Sequence, residues 1–99
     1  MVKHVILWKL KEMPEQELAA VKAAIKEHLE ALAGQIPGLL EIKVYTDKLP
    51  SSNVDLMLDS SFESEEALKG YAVHPAHVAV ADGYVRPYTA SRACLDFNV

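Results

Sequence analysis

The chain of 99 residues contains one cysteine and no basic run, and its four glycines are scattered. Because the single Cys94 cannot form an intrachain disulfide, the fold must be stabilised by buried apolar side chains. The net charge of −4 disfavours binding to a phosphate backbone, and no glycine-rich phosphate loop is present. No apolar run approaches the roughly 20 residues of a membrane span. We therefore predict one soluble, cytoplasmic domain over residues 1–99 that binds neither nucleic acid nor membrane.

Hydrophobic periodicity predicts the first two elements. With 51% hydrophobic and 24% charged residues, the composition is that of an ordinary globular domain. Residues 2–10 alternate as a strand does, and one face of this strand carries Val2, His4, Ile6, Trp8 and Leu10. Pro14 then opens a helix over residues 14–33 that stops at Gly34. Its apolar stripe, at three- and four-residue steps, consists of Leu18, Val21, Ile25, Leu29 and Leu32.

The rest of the chain predicts three more strands and a second helix. Strands are expected at residues 39–46, 54–62 and 88–97. Ser64 caps a short second helix, and residues 73–84 form a helical or irregular segment. The order strand, helix, strand, strand, helix, strand favours the α+β class. Specifically, it predicts a ferredoxin-like βαββαβ protomer with a four-stranded antiparallel sheet and both helices on one face.

Two helices cover only one face of such a sheet. We expect the other face to expose Trp8, Ile6 or their neighbours, and an apolar face of that size invites a partner. A symmetric homodimer that packs two sheets face to face would cover it. The alternative is a monomer whose helices cover more of the sheet.

The segment from Tyr71 to His77 (YAVHPAH) is the most unusual part of the sequence, because it holds a tyrosine and two of the four histidines. Histidine exchanges a proton near neutral pH, and a tyrosine hydroxyl can donate a hydrogen bond to a developing oxyanion. His4 adds a third polar group in the middle of an apolar strand face. Structural roles remain open for all of them: His74 as a helix cap, His77 in a structural hydrogen bond, and Tyr71 and His4 as core residues.

We predict neither a metal nor a cofactor. His74 and His77 are spaced like a pair of ligands, but a zinc site needs at least a third donor. Cys94 and Asp96 lie on the last strand, and nothing in the spacing along the chain connects them to the histidines. Cys94 has no partner placed beside it by sequence that would make it a nucleophile. Arg86 and Arg92 are expected to form surface ion pairs or to bind an anionic ligand.

Three segments together resemble the stress-responsive α/β-barrel (Dabb) family: residues 1–11, residues 62–68 and the Tyr71–His77 segment. The resemblance extends nearly from end to end of the chain. It implies a ferredoxin-like protomer and a homodimer whose two sheets form a barrel. In a plant polyketide cyclase of this family, the tyrosine and the second histidine of the matching segment are the catalytic pair. The resemblance therefore implies Tyr71 and His77 as catalytic residues, with His4 in the same cavity.

Three hypotheses follow for the function. In the first, a homodimer binds a small apolar or carbonyl-containing molecule in the barrel cavity, where the ligand contacts His4, His74, Trp8 and Ile6. In the second, the protein is a cofactor-independent lyase, cyclase or isomerase of aldol type that uses His77 as base and Tyr71 as oxyanion donor. In the third, it is a non-catalytic structural or interaction dimer whose histidines cap helices.

Overall fold

Four apolar, alternating segments form one antiparallel sheet in the computed structural model, which describes residues 1–99. The strands are β1 (Val2–Leu10), β2 (Leu39–Tyr45), β3 (Leu56–Phe62) and β4 (Thr89–Asn98). They lie in the order β2-β3-β1-β4, so that β1 and β3 are central and β4 is an edge strand. The predicted ferredoxin-like fold with a four-stranded antiparallel sheet is confirmed.

Three helices connect the strands: α1 (Glu15–Glu30), α2 (Glu65–Val73) and α3 (Pro75–Val80). The Ser64 hydroxyl caps α2 by accepting a hydrogen bond from the backbone N–H of Ala67 at 3.1 Å. The segment 73–84, predicted as helical or irregular, is helical: it contains α3, followed by a π-helical turn at Ala81–Val85. None of the helices combines the length and the apolar character that crossing a membrane would require.

The first helix is shorter than predicted. It ends at Glu30 instead of residue 33, and residues 31–35 form turns in which Gly34 adopts a φ of 80°. The turns reverse the chain so that both Leu32 and Ile36 are buried in the core. Leu32 fits the helical periodicity in either case, and for this reason the sequence pattern does not show the earlier end.

The helices cover the face of the sheet that carries His4, Ile6 and Trp8. The expectation that Trp8 or Ile6 would be exposed is wrong for both residues, since their exposed fractions are 4% and 6%. The alternation along β1 places both side chains under the helices and sends their neighbour Leu7, which is 37% exposed, to the opposite face.

That opposite face has no helix over it. An apolar row crosses all four strands on this face, because the strand register aligns Tyr45, Met57, Leu7 and Ala93. Leu95 and Phe97 extend the apolar surface along β4 and are exposed. The predicted uncovered sheet face therefore exists, built from the other set of alternating residues.

Candidate functional site

A cavity of about 410 Å³ lies between the sheet and the α2–α3 segment of a single protomer. The central strands supply Ile6, Trp8 and Leu58, and the helical side supplies Leu68, Tyr71 and His77. The predicted location in a hollow between the two sheets of a dimer is therefore wrong. His4, Ile6 and Trp8 share the face that the helices cover, so the space beside them is closed by helices and not by a second sheet.

Tyr71 lies in α2 and is almost completely buried. Its ring packs edge-to-face against Phe62, with 5.0 Å between the centroids, and His4 lies 6.0 Å away. The hydroxyl group has no hydrogen-bond partner, although it is buried. Burial also raises the pKa of Tyr71, so the hydroxyl stays protonated and can act as a donor. A buried hydroxyl that lines a cavity and has no partner can donate a hydrogen bond to an acceptor atom in the cavity.

His77, in α3, lies directly against the tyrosine, with the two ring centroids 4.1 Å apart. Its Nδ1 donates a hydrogen bond to the backbone carbonyl of Ala72 at 3.3 Å. Because a carbonyl only accepts, Nδ1 carries the proton in the neutral ring, and Nε2 keeps its lone pair. Burial lowers the pKa of His77, and the positive charge of Arg86 lowers it further, against the effect of the Ala72 carbonyl. The ring is therefore a neutral proton acceptor at neutral pH.

His4 lines the cavity from the sheet side and is buried. Its Nδ1 hydrogen-bonds the carboxylate of Asp96, which lies directly opposite on β4. The Sγ atom of Cys94 lies 3.7 Å from the same nitrogen. The sequence does not show this contact, because the alternation along β4 puts Cys94 and Asp96 on one face without showing which β1 residue they meet.

His74 is not among the cavity-lining residues, in contrast to its predicted ligand contact. Its Nδ1 accepts a hydrogen bond from the backbone N–H of Ala76 at 3.1 Å, so the ring caps α3. Pro75 at the first position of α3 needs no N–H partner and fits such a helix start. The alternative structural role of His74 is therefore the one that the structure shows.

Two guanidinium groups, which are expected in ion pairs or at an anionic ligand, lie at the cavity in addition to the predicted catalytic and ligand-binding residues. Arg86 follows the π-helical turn and forms an ion pair with Asp82, and Arg92 lies on β4. The π-helical turn itself contributes Ala81 and Val85 to the lining, and such turns occur frequently at functional sites. The site thus combines an apolar wall with a phenol, two imidazoles and two cations.

The sheet order and the cavity beneath the helices define a ferredoxin-like α+β protein with a pocket inside each protomer. The chain belongs to the Dabb family, the stress responsive A/B barrel domain, whose family model matches residues 2–99. The predicted family is confirmed. Comparison with curated protein sequences gives no match.

Solved structures show the same architecture. A dimeric protein of unknown function and ferredoxin-like fold from Bacteroides fragilis is 34% identical, with a TM-score of 0.92, and the alignment covers 99% of this chain and 95% of that one. A Dabb family protein from Mesorhizobium loti is 17% identical with a TM-score of 0.76, covering 99% and 95%. The hydroxynitrile lyase from Passiflora edulis is 18% identical with a TM-score of 0.74, covering 99% and 92%. The last two structures share the fold of this chain.

Proposed function

We propose that this protein binds a small, largely apolar molecule with a carbonyl group in the cavity between the sheet and the α2–α3 segment. The observation that carries this proposal is the buried Tyr71 hydroxyl, which has no hydrogen-bond partner in the protein. A buried hydroxyl without a partner costs about 1–3 kcal/mol, and the oxygen of a bound carbonyl group would remove that cost. The cavity of about 410 Å³ falls in the usual range of small-molecule sites.

The lining also indicates how such a molecule would be oriented. On the sheet side, Ile6 and Trp8 form an apolar floor that suits a hydrocarbon or aromatic body, and His4 is the polar group of the same strand. Tyr71 and His77 lie at the α2–α3 side, and the positive potential of Arg86 and Arg92 favours an oxygen atom with negative partial charge. The carbonyl group would therefore point toward Tyr71.

Binding of benzoylacetone, a β-dicarbonyl compound whose enol absorbs ultraviolet light, tests this proposal. We expect wild type to bind it, and Tyr71→Phe to bind it about tenfold more weakly, which corresponds to the loss of one hydrogen bond of about 1.4 kcal/mol. Tyr84→Phe is the matched control, since Tyr84 does not line the cavity. Equal affinities for wild type and Tyr71→Phe would overturn the proposal.

A second function, proton transfer on the bound carbonyl compound, is favoured by the contact between Tyr71 and His77. In this reaction a C–H bond next to the carbonyl breaks, and the proton moves to the free Nε2 of His77. The electron pair moves to the carbonyl oxygen, where the Tyr71 hydroxyl stabilises the developing enolate. The hydroxynitrile lyase from Passiflora edulis has the same fold, which supports a lyase or isomerase activity as a hypothesis for this chain.

Exchange of the methyl protons of acetophenone for deuterium in D₂O, followed by NMR, tests this second function. Wild type should accelerate the exchange, and His77→Ala should lower the rate about 100-fold or more, the usual size of a general-base contribution. His28→Ala, on α1 and outside the cavity lining, is the control. An exchange rate that is equal in wild type and His77→Ala removes proton transfer by His77 and leaves the binding proposal in place.

We also propose that two copies associate through the uncovered sheet face. The relative from Bacteroides fragilis is dimeric, and the row of Tyr45, Met57, Leu7 and Ala93 gives this chain an apolar surface that a second copy can cover. Leu7→Asp should convert the dimer into a monomer in sedimentation experiments. Leu49→Asp, at an exposed position outside the sheet, should remain dimeric. A wild-type protein that sediments as a monomer would contradict this arrangement.

A further inference from the structure

We propose that His4, Cys94 and Asp96 form a zinc-binding site where β4 pairs with β1. Their donor atoms, an imidazole nitrogen, a thiol sulfur and a carboxylate oxygen, all lie within 4.8 Å of one another. These are the three donor types that zinc binds in proteins. The cluster shares His4 with the cavity lining, but it uses neither Tyr71 nor His77 and does not depend on the proposed carbonyl ligand.

The strand register places the three donors together. His4 pairs directly with Asp96, and Ile6 pairs with Cys94. Cys94 is therefore two positions from Asp96 along β4 and lies on the same face of the sheet. Because side chains alternate across a strand, Cys94 and Asp96 both point to the side of the sheet that carries His4. The backbone hydrogen bonds of two paired strands therefore hold the donors in position, and no loop needs to close over them.

The two distances from the cysteine sulfur agree with tetrahedral coordination. With zinc–sulfur bonds of about 2.3 Å and zinc–nitrogen or zinc–oxygen bonds of about 2.0 Å, donors at a tetrahedral zinc lie about 3.3–3.6 Å apart. The Cys94 Sγ atom lies 3.7 Å from Nδ1 of His4 and 3.5 Å from Oδ1 of Asp96. The histidine and the carboxylate are hydrogen-bonded directly, so zinc would replace the proton between them and require them to move apart to about 3.3 Å.

The geometry distinguishes this site from a nucleophilic triad. In a Cys-His-Asp triad, the thiol and the carboxylate contact different nitrogens of the histidine ring. Here Cys94 and Asp96 both approach Nδ1 of His4, so the aspartate cannot orient the ring as a base for the cysteine. Three donor atoms that converge on one point can coordinate a single metal ion.

The donor set also selects the kind of metal. A thiolate is a soft ligand that magnesium and calcium avoid, whereas zinc accepts sulfur, nitrogen and oxygen together. Thiolate and carboxylate would together neutralise the charge of a divalent ion. Cys94 and Asp96 are exposed, so an ion can reach them from solvent. Three protein donors leave a fourth position for water or another small ligand.

Titration of the reduced protein with cobalt(II), a spectroscopic substitute for zinc, tests this site. Cys94 is the only cysteine in the chain, so a thiolate-to-cobalt charge-transfer band reports on this residue alone. We expect the band to saturate at one cobalt per chain and to disappear when zinc(II) is added. Cys94→Ser should abolish the band. Asp96→Asn should weaken binding about tenfold or more, since even outer-shell partners change metal affinity by about 10–100-fold.

Two controls separate this cluster from other donors. Asp47→Asn changes an exposed aspartate, and His28→Ala changes a histidine of α1; both should leave the titration unchanged. Tyr71→Phe should also keep its cobalt band, which separates a failure of this site from a failure of the carbonyl-binding proposal. The absence of a charge-transfer band in wild type, or unchanged affinity in Asp96→Asn, would overturn the zinc site.

Discussion

The two halves of the helix-covered sheet face are built differently. Under α1, the side chains of Ile25 and Val44 are completely excluded from solvent and belong to the hydrophobic core. Under α2 and α3, the same face borders a cavity that contains Tyr71 and His77. One end of the sheet face is therefore closely packed, while the other end keeps open space and a buried hydroxyl group without a hydrogen-bond partner.

The helices themselves explain this difference. The first is a continuous helix of 16 residues with one buried stripe, whereas the second covering element is divided at His74. His74 precedes a proline and is extended, with φ of −65° and ψ of 132°, so the chain changes direction between α2 and α3. The break leaves two short helices in place of one long helix, and the cavity lies beneath them.

Truncation in the packed half should have the largest effect on stability. Ile25→Ala should lower the free energy of unfolding by about 2–5 kcal/mol, because the surrounding core cannot collapse around the missing atoms. Leu68→Ala, at the cavity, should cost only about 1 kcal/mol, since part of this side chain already lacks packing partners. Urea denaturation of both variants measures the difference. Equal losses would show that the two halves are packed alike.

The junction between the halves should be the next most sensitive position. Gly38, at a φ of 80°, directly precedes β2 beside α2, and a Cβ atom there would meet the Cβ of Ala67. Gly38→Ala should therefore destabilise the protein by about 2 kcal/mol or more, from backbone strain plus the clash. Gly34→Ala is the control with the same φ of 80° and open space, and should cost about 1 kcal/mol. Rescue of Gly38→Ala by Ala67→Gly would confirm the contact.

In the cavity half, removal of a polar atom should increase stability. Tyr71→Phe keeps the ring and removes the hydroxyl that has no partner, so the melting temperature should rise, by an amount equivalent to about 1 kcal/mol. Calorimetry of the free protein, compared with Tyr84→Phe, measures this effect. A stabilised variant that also loses benzoylacetone binding would show that the tyrosine is kept for a ligand. A destabilised variant would show that the hydroxyl is satisfied in solution.

The smallest effect on stability is expected at the edge strand β2, where a side chain of α1 forms a hydrogen bond with the strand backbone. Glu30 accepts hydrogen bonds from the backbone N–H of Val44 and from Lys26, both at 2.9 Å. Partial burial raises the pKa of Glu30, but these hydrogen bonds outweigh it, and the pKa lies below its ordinary value of 4.5. The resulting stability is present above that value and is lost as the pH falls through the lowered pKa.

Glu30→Gln should therefore make the free energy of unfolding less dependent on pH in the acidic range. Between about pH 6 and about pH 3, wild type should lose up to about 1 kcal/mol more than the variant, a small value because the pair is partly exposed. Glu27→Gln, at an exposed position of α1, should behave as wild type does. A pH dependence that is identical in Glu30→Gln and wild type would contradict the role of this hydrogen bond.

Much of the fold could be predicted because its signals are local. The alternation in β1, the apolar stripe of α1 and the Ser64 cap each depend on residues within a few positions of one another. The same is true of the short segment from Tyr71 to His77, in which the tyrosine at the end of α2 contacts the histidine in α3 across the break at His74. These features are properties of the sequence by itself.

Only the tertiary structure decided which face of β1 the helices cover and how β1 and β4 align. Three features follow from those two choices: the burial of Trp8 and Ile6, the position of the cavity inside one protomer, and the contact of His4 with Cys94 and Asp96. A strand that carries apolar residues on both faces can bury either face in the core. A shift of one residue in register moves the buried set of side chains to the other face of the sheet. Such choices depend on the packing of the whole chain, and this is why residues 92 positions apart form a contact that no local pattern shows.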